Sequence, residues 1–292
     1  MTQDRFTFVN EGVSLIGNLY RPEGAPKALA VTTGPLTSVK EQASGAYAQA
    51  LAKRGYAALA FDHRYFGESG GRPRQFENPY AKADDINAAI VALKALPEFA
   101  ALPVFGVGVC AGGGYMARAV VDATHFQGFA GIAGVYPDRE QTRAWMGANY
   151  DAAKTRARAA LERFIATGEA ETIPAVGPDN GDVAMPLTEA YQYYGAARGQ
   201  VPNYVNGFAV QSRLYTLDFD VQTLAADIMP PTIMIHSERA LMPALARAFY
   251  GKLNAPKTEL WLESQGQIDF YDDPRLINAA ADAVDAFFTA EP

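Results

Sequence analysis

Short apolar runs alternate with helical patterns along most of the chain, and this alternation constrains the fold more than any other feature. The runs that resemble buried strands are residues 28–34, 56–62, 104–110, 129–136, 232–237 and 258–264. Strands that are apolar along their whole length are typical of parallel sheets, because helices cover both faces of such sheets. The pattern therefore predicts an α/β fold with a mostly parallel sheet flanked by helices.

The alternation is modified in two places. At the start, RFTFVN and SLIGNLYRP predict an antiparallel hairpin with its turn at residues 10–12. Residues 138–227 contain a polar, arginine-rich helical stretch, a loop rich in proline and glycine, and an aromatic segment, with no evident buried strand. We therefore predict a core domain formed by residues 1–137 and 228–292, with a helical cap inserted at residues 138–227.

Composition narrows the classes of partner. The chain of 292 residues is 49% hydrophobic, enough for one large core, and its net charge of −7 argues against nucleic acid and anionic membrane partners. Its single cysteine excludes an intramolecular disulfide and suits a reducing compartment. With no signal-peptide pattern and no run of 18 apolar residues, we expect a cytoplasmic protein without a membrane span. No cofactor or metal is expected, and the oligomeric state stays open, a homo-oligomer included.

The cysteine lies at the end of the third apolar run, in Gly108-Val109-Cys110-Ala111-Gly112. Glycines two residues before and after it suit a tight strand-to-helix turn that presents its side chain. Because a helix N-terminus stabilises an anion, we expect a lowered pKa for the Cys110 thiol, with the Ala111 backbone N–H as an oxyanion donor. The alternative is a small buried side chain without chemistry. The glycines match no nucleotide-binding motif in register.

Several motifs resemble those of a known family. The order of strands and cap, with G-x-C-x-G at the third parallel strand, resembles the α/β-hydrolase fold over nearly the whole chain. Residues 62–69 (DHRYFGES) resemble the D-x-R-G-x-G-x-S loop of that family, with Tyr65 in place of a glycine. The cysteine, VKEQ (39–42) and QIDFYDDP (267–274) are similar to dienelactone-hydrolase-like enzymes, including a subgroup with polyketide acyltransferases. The resemblance implies an enzyme with Cys110 as its nucleophile.

The resemblance also implies positions for a catalytic acid and a histidine. The acid should follow the strand at 232–237, where Glu238 is the candidate. The histidine should follow the last strand, but Gln267 stands there. Glutamine can orient a substrate but cannot take a proton near neutral pH. Either another group acts as the base, with His236 as a candidate that also fits a structural role, or the reaction needs none.

The remaining candidates concern the oxyanion and the substrate. A second donor is expected in the loop after residues 28–34, where Pro35 has no N–H and Leu36 is therefore the candidate. His63 is more typical of a structural role, and His125 is expected at the opposite end of the sheet. Aromatic residues of the cap suit either an apolar or aromatic acyl substrate or the cap's own core: Trp145, Tyr150, Tyr191, Tyr193, Tyr194, Tyr204 and Phe208.

Three functions remain open from the sequence. The first is cleavage of an ester, lactone or thioester through an acyl-Cys110 intermediate, since a thiolate attacks such carbonyls without a strong base. The second is a non-hydrolytic acyltransferase or cyclase that uses the same site, because Gln267 cannot activate water. The third is a non-catalytic relative that only binds a ligand.

Overall fold

The computed structural model describes residues 1–179 and 181–290. In chain order, its strands are β1 (Thr2–Asn10), β2 (Val13–Arg21), β3 (Ala28–Thr33), β4 (Tyr56–Asp62), β5 (Val104–Val109), β6 (Phe126–Ile132), β7 (Thr172–Ile173), β8 (Phe208–Ala209), β9 (Thr232–His236) and β10 (Lys257–Trp261). Its α-helices are α1 (Ala43–Ala52), α2 (Pro79–Lys94), α3 (Ala111–Asp122), α4 (Arg139–Met146), α5 (Ala148–Thr167), α6 (Thr188–Tyr194), α7 (Arg213–Thr216), α8 (Pro243–Lys252), α9 (Asp269–Asp272) and α10 (Pro274–Thr289).

A central sheet has the strand order β1-β2-β4-β3-β5-β6-β9-β10. The β1–β2 hairpin and the β2–β4 pair are antiparallel, and every later neighbour pair is parallel. Strands β3, β4 and β5 are buried along their whole length, as the apolar runs predicted. This confirms the predicted fold class.

Helices cover both faces of the sheet. One apolar cluster lies between the sheet and α1 and α10, and it includes Tyr47 and Ala281. The other lies between the sheet and α2, α3 and α8, and it includes Ile90, Met116 and Phe249. Two covered faces explain why the central strands carry no polar alternation.

Two predicted strands end earlier than their apolar runs. The run at 129–136 contributes to the sheet only up to Ile132, because Ala133 has a φ of 42° and turns the chain away. The run at 258–264 stops pairing at Trp261. In the first case apolar residues, among them Val135 and Tyr136, continue beyond the carboxyl end of the strand.

The segment between β6 and β9 contains α4 to α7, as expected for a helical insertion, and also a strand pair. In that pair, β7 and β8 are antiparallel, with Ile173 opposite Phe208. Two residues per strand are too few to show alternation in a sequence, so this pair was not predicted. The domain boundaries at 137/138 and 227/228 stay predictions. Among the described residues 1–179 and 181–290, no helix is both long and apolar enough to cross a membrane.

Candidate active site

Cys110 occupies a sharp turn between β5 and α3. Its φ of 56° and ψ of −126° are unusual for a residue with a side chain. A Cβ atom on Gly108 would lie 2.3 Å from the Gly112 carbonyl oxygen, and one on Gly112 would lie 2.5 Å from that of Thr33. Only glycine therefore allows the strand and the helix to approach this closely. The predicted strand-to-helix turn is present, with the Cys110 side chain at the carboxyl end of β5.

Four groups lie close enough to the Cys110 thiol to lower its pKa by hydrogen bonding: the backbone N–H groups of Ala111 and Leu36, the Gln267 side chain and the Tyr271 hydroxyl. The Ala111 N–H is free for this because it belongs to the first turn of α3. Leu36 lies in a turn in which the Ser38 N–H donates to the Pro35 carbonyl at 3.2 Å. Two backbone N–H groups that converge on one point can hold an oxyanion. Both donors predicted from the sequence therefore lie at Cys110.

The pKa of the Cys110 thiol is raised, so the expected lowering was wrong. Burial is the largest cause, and the four hydrogen bonds oppose it. The residue is only 6% exposed and packs in one apolar cluster with Tyr193, Tyr194 and Ile268. The helix N-terminus lies where the sequence predicted it, but the cap also excludes water from the sulfur, and this burial has the larger effect on the pKa of the thiol. The thiol is therefore protonated at neutral pH.

The Gln267 amide has a fixed orientation. Its Oε1 accepts from the Leu241 backbone N–H at 2.9 Å, and its Nε2 donates to the Ala133 carbonyl at 2.9 Å. The second N–H of the amide remains for Cys110 and Tyr271, both of which Gln267 contacts by hydrogen bonding. Gln267 thus faces the thiol as a donor. It occupies the expected position but holds no lone pair toward Cys110.

The cap binds the loop that carries Gln267 through a hydrogen bond and an ion pair. The Gln267 backbone N–H donates to Glu189 Oε2 at 3.1 Å, and burial raises the pKa of that carboxyl group. Arg198 binds both carboxylate oxygens of Asp272 at 2.5 and 2.6 Å. Planar pairing of this kind fixes the relative orientation of its two partners.

The same part of the cap also contacts the VKEQ stretch at residues 39–42. Gln42 Nε2 donates to the Gly199 carbonyl at 2.7 Å, and Asn203 Nδ2 donates to Glu41 Oε1 at 2.8 Å. We call residues 198–203 the latch segment, because they join this stretch to Asp272. The VKEQ stretch therefore contacts the cap above the site.

A buried ion pair supports the turn that carries Leu36. Glu77 Oε2 accepts the Thr37 backbone N–H at 3.0 Å, and Glu77 Oε1 pairs with Lys82 Nζ at 2.5 Å. The Tyr115 hydroxyl donates to the same Oε1 at 2.8 Å. Thr37 has a φ of 61°, a conformation that these bonds must hold. Sequence reasoning missed Glu77, because a polar residue before a helix resembles ordinary surface.

Glu238 and His236 do not join this arrangement. The Glu238 side chain is 67% exposed and pairs with Arg247, so the expectation that it orients a base is wrong. In His236, Nδ1 and Nε2 lie 3.0 and 3.3 Å from the carbonyl oxygens of Ser237 and Gly134, and burial lowers its pKa. These contacts fit the structural alternative for His236.

The other two histidines have different surroundings. His63 Nε2 is 2.8 Å from Thr33 Oγ1, and burial lowers its pKa. His125 is exposed just before β6, at the amino end of a strand whose carboxyl end faces Cys110. All three histidines fall in the described residues, and none is among the groups bonded to the Cys110 thiol.

The aromatic residues of the cap divide into two groups. Tyr194 stacks on Tyr204 at 5.1 Å between ring centroids, and Tyr193 packs edge-on against Tyr271 at 5.4 Å. Phe208 instead belongs to the cap's own apolar cluster, and Trp145 is 60% exposed. Phe208 therefore fits the alternative of a cap core, whereas the exposed Trp145 fits neither that alternative nor a substrate lining.

Tyr271 was not predicted as a site residue from the sequence. The signal was its spacing, because it follows Gln267 by four residues and a helical turn places such residues on one face. The short helix α9 provides that turn, with the Tyr271 N–H donating to the Ile268 carbonyl at 2.8 Å.

A mostly parallel sheet with this elbow after β5 defines the class of protein. A family model described as serine aminopeptidase, S33, matches residues 41–262. The chain therefore belongs to the α/β-hydrolases and is an enzyme of hydrolase type, as its motifs predicted. It carries cysteine at the elbow position.

Individual relatives agree with this assignment. The chain is 30% identical to the uncharacterised protein PA2218 of Pseudomonas aeruginosa, over 97% of this chain and 79% of that protein. The solved structure of PA2218 has a TM-score of 0.83 and covers 98% of this chain and 92% of that one. A thiohydrolase of Eupenicillium brefeldianum is 33% identical over 30% of this chain and 28% of its own length. A dienelactone hydrolase of Anabaena variabilis shares the fold, with a TM-score of 0.61 at 14% identity and coverage of 98% and 96%.

Proposed function

We propose that this enzyme cleaves an ester, lactone or thioester through an acyl-Cys110 intermediate. The observation that carries the proposal is the convergence of the Ala111 and Leu36 N–H groups at the Cys110 thiol. In the first step, Sγ attacks the substrate carbonyl and the bond to the leaving group breaks. The carbonyl oxygen, negative in the tetrahedral intermediate, takes over the two N–H donors. The thiol proton leaves with the departing oxygen or sulfur.

Thioesters are the substrate class that suits this thiol best. Exchange of one thiol for another conserves the type of bond and needs no strong base at Cys110. The printed name of one relative, a thiohydrolase, supports the same class. The stacked rings of Tyr194 and Tyr204, which pack in the apolar cluster around Cys110, support an apolar or aromatic acyl group.

Acyl transfer to an acceptor other than water is the second candidate. Gln267 faces Cys110 as a donor and cannot deprotonate water. An amine, or a hydroxyl group of the acyl chain itself, needs less activation in a site from which water is excluded. The ester or thioester would then end as an amide, a new ester or a lactone.

The first prediction concerns the covalent intermediate. N-acetylcysteamine thioesters of hexanoic and benzoic acid should add one acyl group to Cys110, detected by mass spectrometry, and release thiol. Cys110→Ala should give neither signal, because no other group takes the place of Sγ. Wild-type protein that stays unmodified and releases no thiol with either compound would favour the ligand-binding alternative.

The same experiment separates hydrolysis from transfer. Ethanolamine added after acylation offers the intermediate an amine and a hydroxyl. A faster loss of the acyl group, with the amide or ester as product, would assign transfer. An unchanged rate with only free acid as product would assign hydrolysis.

A further inference from the structure

We propose that Tyr271 is a catalytic residue that carries the proton from the Cys110 thiol to the leaving group. This role rests on the acyl-Cys110 chemistry proposed above. It answers the question raised by Gln267, namely which group handles a proton where a histidine would be expected.

The four groups around the Cys110 thiol differ in whether they can accept a proton. The N–H groups of Ala111 and Leu36 only donate, and the Gln267 amide also presents a donor, since its Oε1 is bonded to Leu241. A hydroxyl group both donates and accepts. Tyr271 is therefore the one member of this set of four that can receive a proton and deliver another.

The Tyr271 side chain is held in place for this role. Its ring is buried and packs edge-on against Tyr193, and its backbone is fixed by the bond to Ile268. Its hydroxyl bonds both Cys110 and Gln267. The donor bond from Gln267 would stabilise negative charge that develops on the tyrosine oxygen during the transfer. The nearby Tyr115 hydroxyl has a different partner, since it donates to Glu77.

The step balances without a charged product. As the bond between Sγ and the carbonyl carbon forms, the thiol proton moves to Tyr271 Oη. The proton that Oη carried moves to the leaving oxygen or sulfur as its bond to carbon breaks. Tyr271 ends as it began, and the products are acyl-Cys110 and a neutral alcohol or thiol. Burial raises the pKa of both side chains, so each holds its proton before the step.

The test compares a poor leaving group with a good one. Acylation of Cys110 by phenyl hexanoate and by p-nitrophenyl hexanoate is measured in single turnovers by mass spectrometry. In Tyr271→Phe, we expect a loss of about 10²-fold with the phenyl ester, the scale of general acid–base catalysis. The loss with the p-nitrophenyl ester should be at least about 10-fold smaller, because p-nitrophenolate leaves without the proton from Tyr271 and only the acceptance of the thiol proton is lost.

Tyr47→Phe is the matched control, since it removes a buried hydroxyl on α1 for which the described residues 1–179 and 181–290 provide no hydrogen-bond partner. We expect it to slow neither ester by more than about twofold, the scale of an uninvolved group against the 10²-fold effect of proton transfer. An equal loss with both esters in Tyr271→Phe, or no loss, would overturn the role of Tyr271 while the acyl-enzyme stands. A wild-type protein that is acylated neither by these esters nor by the thioesters named above would overturn the acyl-Cys110 chemistry and this role with it.

A measurement on the wild-type protein avoids any folding defect of the variant. Acylation by phenyl hexanoate should be slower in D₂O, and its rate should curve with the deuterium fraction because two protons move together. A rate that is the same in both solvents, or that falls linearly with the deuterium fraction, would contradict the two-proton transfer through Tyr271.

Discussion

At Cys110, two opposed effects act on one thiol. The cap removes water from the sulfur, which penalises a thiolate, while the four hydrogen bonds favour one. The first effect is larger, so the resting group is a neutral thiol. Charge on sulfur is then stabilised only while a substrate is present and the proton is leaving. A site of this kind resists stray alkylation and oxidation, since the thiolate is the reactive form.

The raised pKa predicts slow alkylation of the native protein. Because the reactive thiolate appears only as pH rises through the raised pKa, the iodoacetamide rate for Cys110 should have its midpoint above the ~8.5 of a free cysteine. Mass spectrometry over a pH series provides the rates, and urea-unfolded protein is the control. A midpoint lower in the native protein than in the unfolded one would show that the donors outweigh burial.

Gln267 can be tested by supplying the imidazole that its position lacks. Gln267→His should speed hydrolysis of acyl-Cys110 by at least ~10-fold, because histidine can take a proton from water; the full effect of a general base is 10²–10⁴. It should fall short of that range, since Glu238 points to solvent and does not orient the ring.

The control is Gln267→Leu, which keeps the side-chain volume, removes the amide donor and introduces no base. Its deacylation rate should not exceed that of the wild type, as followed by loss of the acyl mass from Cys110. A rise in the leucine variant would mean that the amide holds the intermediate back. A fall in the histidine variant would mean that the amide itself has a role in deacylation.

A buried ion pair joins helix α2 to the turn after β3. Glu77, just before α2, holds the turn after β3 through the Thr37 N–H, and Lys82 neutralises it within the first turns of that helix. Both side chains are buried, so each charge depends on the other. Helix α2 thereby sets the position of the Leu36 donor across the elbow.

This pair yields a prediction about stability. Lys82→Met should lower the free energy of unfolding by about 3–5 kcal/mol, because it leaves the Glu77 carboxylate buried without a countercharge. The double variant Glu77→Gln with Lys82→Met should recover part of that loss. Urea unfolding measures both, and Lys53→Met, at an exposed lysine, is the control. A double variant no more stable than Lys82→Met would mean that shape rather than charge makes Lys82 necessary.

For the whole molecule, the backbone was more predictable than the side chains. The continuous apolar runs located most strands of the sheet, and the two glycines around Cys110 predicted the elbow because any side chain there would collide. The positions of the Leu36 and Ala111 N–H groups near Cys110 were also predicted, because they depend on the backbone alone. These features depend on local geometry, which neighbouring residues in a sequence determine.

Side-chain directions were less predictable. Glu238 follows the expected strand, yet it turns to the surface and pairs with Arg247. Burial raises the pKa of Cys110, and the residues that pack with it include Tyr193 and Tyr194, which lie more than 80 positions away in the chain. The position of Tyr271 beside Cys110 depends on the single helical turn of α9. Such outcomes depend on contacts between distant segments, which no local pattern encodes.

The latch segment has a kinetic consequence. Cys110 is buried beneath the cap, so we expect a substrate to reach it only in the fraction of molecules in which this segment has moved. An open population of about 1% would weaken the apparent affinity about 100-fold, however well the acyl group fits. Because residues 198–203 hold both the VKEQ stretch and Asp272, one closing motion restores both sides of the site together. The turnover rate of a good substrate would then be limited by how often the latch segment opens.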